Sequence, residues 1–172
     1  MQPDALRALV DRHEISELSV RYMRGLDRLD LDLLKSVYHD DATDDRGFYT
    51  GSGHGLCELA VQLLASHLAN HHMLGQMAID IEGDVAFGEI YFQAYHRIIQ
   101  DGLEMDFMVM GRYADRYERR GGVWKIAHRS ELNDTCWQQP ASDDWFKATP
   151  QALRGARGAD DLTSQRERLR TL

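Results

Sequence analysis

The sequence has little cysteine and lacks a long apolar run. Two cysteines, Cys57 and Cys136, in 172 residues are too few for a disulfide scaffold, and we expect both to be reduced thiols. The residues after Met1 contain no apolar stretch of signal-peptide type, and no segment is long and apolar enough to cross a bilayer. These absences predict a cytoplasmic protein without a membrane partner.

Positive charge is also in short supply. The chain carries 28 acidic and 20 basic residues, a formal net charge of −8. Nucleic acids and anionic membranes bind clustered positive charge, so we expect neither as a partner. With 43% hydrophobic and 28% charged residues and no internal repeat, the composition is typical of one globular domain.

The order of the hydrophobic periods predicts the fold class. Helical patterns come first, in a long helix to about Gly25, a short one over 31–38 and a third over 55–69. From His71 the period changes to two, and turn sequences at 82–84, 101–102 and 120–122 separate long strands. This order predicts an α+β protein, with a curved antiparallel sheet that wraps the N-terminal helices and leaves a cone-shaped hollow.

Two details of this prediction concern the ends of the domain. The first helix has an apolar stripe, formed by Leu6, Leu9, Val10, Ile15, Leu18, Tyr22 and Leu26. The last strand is predicted from Val123 to about Asn133. We therefore assign residues 1–140 to one domain and 141–172 to a C-terminal extension that is partly mobile or packed at a subunit interface.

Several short motifs resemble the SnoaL-like branch of the nuclear-transport-factor-2-like superfamily. They are Asp27 after Tyr22 on the first helix, the strand start His71-His72-Met73-Leu74-Gly75-Gln76, the turn Glu82-Gly83-Asp84, and the hairpin 117–126. Within that superfamily the chain looks most like the lyases: bile-acid 7α-dehydratase, hexachlorocyclohexane dehydrochlorinase and scytalone dehydratase. The resemblance implies the cone-shaped fold, no cofactor, and a homo-oligomer, with a trimer favoured. His67 and His71 are four residues apart, but His71 lies past the predicted helix end, so we expect no metal site.

The same resemblance assigns roles by position. His72 would be the catalytic base and Asp27 its partner, Arg129 an active-site cation, and Tyr22 a donor to the leaving group. Histidine suits a base because its ordinary pKa lies near ~6.5, and a carboxylate on its far nitrogen fixes the tautomer. The plainer alternatives are a packed core tyrosine for Tyr22 and a solvated carboxylate at the helix end for Asp27.

Strand alternation bears on which neighbours enter the hollow. Of the adjacent His71 and His72, only one can point inward. Strict alternation also places Arg129 opposite Trp124 and Ile126, so that His128 would enter instead unless a β-bulge intervenes. We further predict that Tyr49, His96, Met108 and Trp137 contact the substrate.

Together these features predict a cofactor-independent lyase with a small hydrophobic substrate. The leading hypothesis is dehydration of a bulky cyclic or aromatic hydroxy compound by a His–Asp pair. Cleavage of a carbon–carbon bond with release of formaldehyde from lignin-derived aromatic dimers, and a ketosteroid-isomerase-like proton transfer, use the same residues. A small-molecule binding module is the alternative without catalysis.

Overall fold

The structure, a computed structural model, describes residues 3–171 and the side chains of residues 5–171. The helices are α1 (Pro3–Arg28), α2 (Leu31–Ser36), α3 (Gly53–Ala65), α4 (Asp144–Ala148) and α5 (Arg166–Leu169). The strands are β1 (Tyr38–Asp45), β2 (Thr50–Ser52), β3 (Ala69–Glu82), β4 (Val85–Gln100), β5 (Leu103–Arg120) and β6 (Val123–Pro140). Among the described residues, no helix has the length and apolar character needed to cross a membrane.

The six strands form one curved sheet in the order β2-β1-β6-β5-β4-β3. Helix α1 contacts both β3, at the edge of the sheet, and β6, three positions away, because the sheet wraps around the helix. The predicted α+β class and N-terminal helices are confirmed, but the sheet is mixed and not purely antiparallel. Strand β1 pairs with β6 in parallel, which is possible because a helical crossover, and not a hairpin, connects β1 to the β3–β6 meander.

The core lies between α1 and the concave face of the sheet. Ile15, Leu18 and Leu26 from the predicted stripe are buried there. For the first part of the stripe the prediction is wrong, because Leu6, Leu9 and Val10 are exposed to solvent and do not enter the core. In this part of α1 the buried residue is Asp11. Its carboxylate accepts hydrogen bonds from the Trp124 indole and the Arg119 guanidinium.

Two β-bulges interrupt the alternation of β6. Tyr117 pairs with Ile126 and Arg116 with His128, which leaves Ala127 as an extra residue. Further along, Gly111 pairs with Asn133 and Met110 with Thr135, which leaves Asp134 extra. A side chain at Gly111 would overlap the Leu132 carbonyl oxygen, so only glycine fits against this second bulge. The bulge also explains why the predicted end of the strand near Asn133 is too early.

The C-terminal extension packs against the domain at several points. Asp143, the N-cap residue just before α4, forms an ion pair with Arg97 of β4, with 2.5 Å between the carboxylate oxygen and the guanidinium nitrogen. Further on, the Arg157 guanidinium donates to the His67 carbonyl oxygen at 2.9 Å, and Asp161 lies 3.7 Å from the guanidinium of Arg28. The extension therefore reaches the end of α1 and the loop before β3.

Candidate active site

A cavity of about 680 Å³ lies between α1, α3 and the concave face of the sheet. Most of its wall is apolar, formed among others by Leu26, Leu56, Leu63, Leu64, Phe92, Phe107 and Val109. Pockets for small organic ligands usually combine such walls with a few convergent polar groups. Two of the cavity's polar regions we name the histidine wall (His67, His72 and His96) and the arginine floor, in which Tyr22, Arg46 and Tyr113 line the cavity and Asp115 and Arg129 lie beneath them. Strand β6 adds further polar lining residues: Glu131, Asn133, Asp134 and Thr135.

Asp27 and His72 meet where the end of α1 contacts the start of β3. The Asp27 carboxylate accepts a hydrogen bond from Nδ1 of His72 at 2.7 Å and lies 3.1 and 3.2 Å from the His72 backbone nitrogen. A carboxylate only accepts, so Nδ1 carries the ring proton and Nε2 has a free lone pair. His72 lines the cavity and Asp27 stands behind it, so Asp27 and Tyr22 need not share one helix face. His71 is exposed, as alternation predicts for one of the two adjacent histidines.

His67 and His96 complete the histidine wall. The His96 ring lies 5.2 Å from that of His72 and 5.0 Å from that of His67, measured between centroids. Burial, followed by the neighbouring His72 and His67, lowers the pKa of His96 to about 3. Burial also lowers the pKa of His67. Both rings are therefore neutral at physiological pH.

Arg129 belongs to the layer beneath the cavity. The Ala127 bulge turns its side chain to the inner face and sends His128 outward, to Thr43 and Ser130. Arg129 is 0% exposed and pairs with Asp115 through two hydrogen bonds of 2.7 and 2.6 Å. Burial alone would lower the pKa of Arg129, but the Asp115 carboxylate together with Tyr38 and Tyr117 raises it overall, so the guanidinium stays charged.

Two tyrosine rings separate Arg129 from the cavity. The guanidinium carbon lies 4.4 Å from the centre of the Tyr22 ring and 4.0 Å from that of Tyr113. Both rings line the cavity and Arg129 does not. The predicted placement of Arg129 as a cation within the site is therefore wrong, because the bulge carries its side chain past the cavity wall into the core.

Arg46 is the arginine that does line the cavity. Its Nη2 donates to the Tyr22 hydroxyl at 2.7 Å, and its other nitrogens pair with Asp44 and Glu131. Burial raises the pKa of Tyr22, so its phenol is protonated at neutral pH. The Tyr22 oxygen accepts from Arg46, and its proton has no acceptor among the described residues. A ligand in the cavity can therefore receive that hydrogen bond.

Three of the four predicted substrate contacts do not line the cavity. Met108 lies between the inward-facing Phe107 and Val109, so alternation directs it to the outer face, opposite Trp137, which is 47% exposed. The Tyr49 hydroxyl turns back to the carbonyl oxygen of Ser52, at 2.8 Å, and its neighbour Phe48 lines the cavity instead. These three placements are wrong, whereas His96 is part of the wall.

Residues 7–130 match the family described as the SnoaL-like domain. The chain belongs to this SnoaL-like family. A relative in Mycobacterium tuberculosis (strain H37Rv), Uncharacterized protein Rv2910c, is 27% identical over 133 residues, which cover 75% of this chain and 88% of the relative.

Solved structures with 20–23% sequence identity show the same SnoaL-like fold. Hexachlorocyclohexane dehydrochlorinase LinA-type3 from Novosphingobium barchaimii is 20% identical with a TM-score of 0.70, covering 81% of this chain and 95% of that one. The Kfla4162 protein from Kribbella flavida is 23% identical with a TM-score of 0.67, covering 77% and 95%.

Several polar residues of this SnoaL-like cavity escape sequence analysis. Arg46 directly follows the acidic strand β1, and no hydrophobic periodicity around it indicates that its side chain points inward. Asn70 and Arg157 act through a contact between segments that are far apart in the sequence. The spacing His67, Asn70, His72 in one short segment is a signal that could have drawn attention to the histidine wall. Within residues 5–171, no group of three or more His, Cys, Asp or Glu side chains is arranged to hold a metal ion.

Proposed function

We propose that this SnoaL-like protein is a cofactor-independent lyase that eliminates water from a bulky, largely apolar cyclic or aromatic hydroxy compound. The observation that carries the proposal is the His72 ring, whose Nδ1 is held by Asp27 at 2.7 Å while the ring lines an apolar cavity. A mere binding module has no need of a histidine oriented by a partly buried carboxylate. The fold is shared with a hexachlorocyclohexane dehydrochlorinase, and dehydrochlorination is itself an elimination.

The first half of the reaction is proton removal from carbon. Nε2 of His72 takes the proton with its free lone pair, and the electrons of the C–H bond form the new double bond. The resulting imidazolium is stabilised by Asp27, which lies against its other nitrogen. General-base assistance of this kind contributes a rate factor of roughly 10²–10⁴.

The second half is departure of the hydroxyl group. Tyr22 donates its phenolic proton to the leaving oxygen as the C–O bond breaks, so that the group departs as water. The tyrosinate left behind faces the Arg46 guanidinium, 2.7 Å from its oxygen, which stabilises the negative charge. Return of the proton from His72 to Tyr22 restores both groups for the next cycle.

The cavity walls define the substrate class. A volume of about 680 Å³ lies within the range found for sites of drug-sized ligands and admits a molecule of more than one ring. The leucine and phenylalanine side chains around it favour an apolar body. His72 belongs to the histidine wall and Tyr22 to the arginine floor, so in this proposal the reacting carbon and its hydroxyl group lie between these two regions.

The test is a side-by-side assay of three proteins against a panel of aromatic and alicyclic hydroxy compounds. Wild type, His72→Gln and His71→Gln are incubated with each compound, and mass spectrometry follows loss of water, release of formaldehyde and isomerisation. His71→Gln is the matched control because His71 is adjacent but exposed. We expect water loss by wild type and His71→Gln, and at least about 100-fold less by His72→Gln.

The other outcomes separate the remaining hypotheses. Release of formaldehyde, or a product of unchanged mass, that depends on His72 would replace dehydration by carbon–carbon cleavage or proton transfer. Equal turnover by wild type and His72→Gln would remove the acid–base role. Binding of panel compounds without any conversion would instead identify a binding module.

A further inference from the structure

His67 and His96 have a polar partner of their own, which differs from that of His72. The amide group of Asn70, on β3, lies between the two rings. One of its terminal atoms is 3.0 Å from Nδ1 of His67 and 3.0 Å from Nδ1 of His96. The other terminal atom lies toward Arg157 of the C-terminal extension.

Arg157 decides which way the Asn70 amide points. A guanidinium group can only donate hydrogen bonds, so the amide atom 2.8 Å from Nη2 of Arg157 is the oxygen. The amide nitrogen then lies 3.0 Å from three acceptors, which are Nδ1 of His67, Nδ1 of His96 and the carbonyl oxygen of Ala69, and these share its two hydrogens. Arg157 is held in place by a second hydrogen bond, of 2.9 Å, to the His67 carbonyl oxygen.

This orientation favours the same tautomer in both histidines. An Nδ1–H on either neutral ring would point at the amide donor 3.0 Å away, which favours the proton on Nε2. The competing arrangement is an Nδ1–H of one ring donated to Nδ1 of the other, 3.3 Å away. Both side chains line the cavity. Neither Nε2 atom is hydrogen-bonded to a described residue, and neither is completely buried. His72, held by a carboxylate, presents a lone pair to the cavity, whereas His67 and His96, held by an amide, present N–H groups.

We propose that His67 and His96 form a paired N–H donor site for a carbonyl or similar acceptor oxygen of the ligand, and that Arg157 sets this polarity through Asn70. As a site in the reaction it rests on the proposed function, because an acceptor oxygen next to the carbon deprotonated by His72 would gain negative charge in the transition state. Neutral donors placed beside such an oxygen stabilise that charge.

The surroundings keep the two rings in the donor state. Burial lowers the pKa of both histidines, and for His96 to about 3. The other charged or titratable groups that act on them are His72, His67 and Asp27 at His96, and Arg157 and His72 at His67. Protonation would place an Nδ1–H against the Asn70 amide nitrogen, two donors facing each other, which disfavours the cation further.

Nitrogen-15 NMR of histidine-labelled protein tests the polarity without any substrate. In wild type we expect Nε2–H tautomers for His67 and His96 and an Nδ1–H tautomer for His72. Arg157→Ala frees the amide to rotate, so His67 and His96 should gain Nδ1–H character, whereas Arg157→Lys keeps a donor there and should retain the wild-type pattern. Arg154→Ala is the matched control, because Arg154 lies in the same extension but contacts Asp143 and Phe146.

Asn70→Asp reverses the polarity directly and links it to binding. A carboxylate accepts from both Nδ1 atoms, so both Nε2 atoms would offer lone pairs to the cavity. The probes are 1-tetralone, a bicyclic ketone, and tetralin, the same ring system without the oxygen. A ketone oxygen that accepts from this donor site gains hydrogen bonds that tetralin cannot make, so we expect wild type to prefer the ketone by about tenfold and Asn70→Asp to lose that preference.

Three results would overturn the proposal: Nδ1–H tautomers at His67 and His96 in wild type, an unchanged spectrum in Arg157→Ala, or equal binding of the two probes by wild type. None of these measurements depends on turnover. A protein that shows the expected tautomers and ketone preference but dehydrates nothing would refute the proposed lyase activity and leave the donor site standing.

Discussion

The arginine floor and the histidine wall border the same cavity but accommodate burial in opposite ways. In the floor, Arg129 keeps its charge because Asp115 lies 2.6 Å away and two tyrosine rings stack on the guanidinium. In the wall, His96 gives up its charge, and its pKa falls to about 3. The floor therefore holds a guanidinium that stays charged, while His67 and His96 of the wall are neutral groups whose proton positions are set by their partner.

The contrast shows that the partner, and not the residue type, sets what a buried side chain offers to a ligand. The wall makes this clear within one residue type, since a carboxylate behind His72 gives an acceptor and an amide behind His96 gives a donor. The following changes test the contrast by exchanging or removing those partners.

The largest effect is expected from Asp27→Asn. The new amide can donate to Nδ1 of His72, which moves the ring proton to Nε2 and converts the base into a donor like His96. We expect turnover of an identified substrate to fall by about 10²–10⁴-fold with little change in the free energy of unfolding. Turnover within a factor of three of wild type would show that the carboxylate does not set the state of His72.

Next comes Arg129→Met, which removes one member of a fully buried ion pair. It leaves the Asp115 carboxylate without its cation, and breaking a buried pair in this way costs ~3–5 kcal/mol. Urea unfolding measures the loss, and the double variant Arg129→Met with Asp115→Asn should recover part of it. A loss below 1 kcal/mol for the single variant would mean that the floor is held by packing and not by charge.

The wall predicts a pH-dependent stability. Because the pKa of His96 is about 3 when folded against an ordinary value of 6.5, only the unfolded chain binds this proton in between. The contribution of His96 to the free energy of unfolding is therefore fully present above pH 6.5 and is lost as the pH falls toward 3. Over this range the free energy of unfolding changes by up to ~1.4 kcal/mol per pH unit. Urea unfolding across this range should show a shallower pH dependence for His96→Gln than for wild type and the exposed control His71→Gln. Parallel profiles would contradict the neutral state of His96.

The smallest effect is expected from Tyr22→Phe. The ring still packs on Arg129, but the hydrogen bond with Arg46 and the donor to the leaving group are lost. We expect the free energy of unfolding to fall by about 1 kcal/mol and turnover by at least about tenfold. A variant that keeps full turnover would show that the floor only supports the cavity.

Sequence reasoning reached the elements that depend on local pattern. The helix-then-strand order, the inward direction of His72 next to the exposed His71, and the pairing of Asp27 with His72 could all be predicted, the last with help from the family resemblance. These features follow from hydrophobic period and from motifs that stay in register along the chain.

What could not be predicted depends on single extra residues and on distant segments. The Ala127 and Asp134 bulges shift the alternation of β6, so neither the burial of Arg129 beneath the tyrosines nor the full length of the strand follows from the pattern. Residue type alone predicts that Tyr49, Met108 and Trp137 line the cavity, whereas strand alternation and a turn direct their side chains elsewhere. The roles of Arg46, Asn70 and Arg157 arise only when segments far apart in sequence meet.

The anchoring of the C-terminal extension also has a consequence for synthesis. Arg157 leaves the ribosome after every strand of the sheet, and the family match itself ends at residue 130. A nascent chain can thus complete the sheet and bring Asp27 to His72 while the Asn70 amide is still free to rotate. On this view the cavity is built first and acquires its final chemical character later, when the segment that carries Arg157 docks.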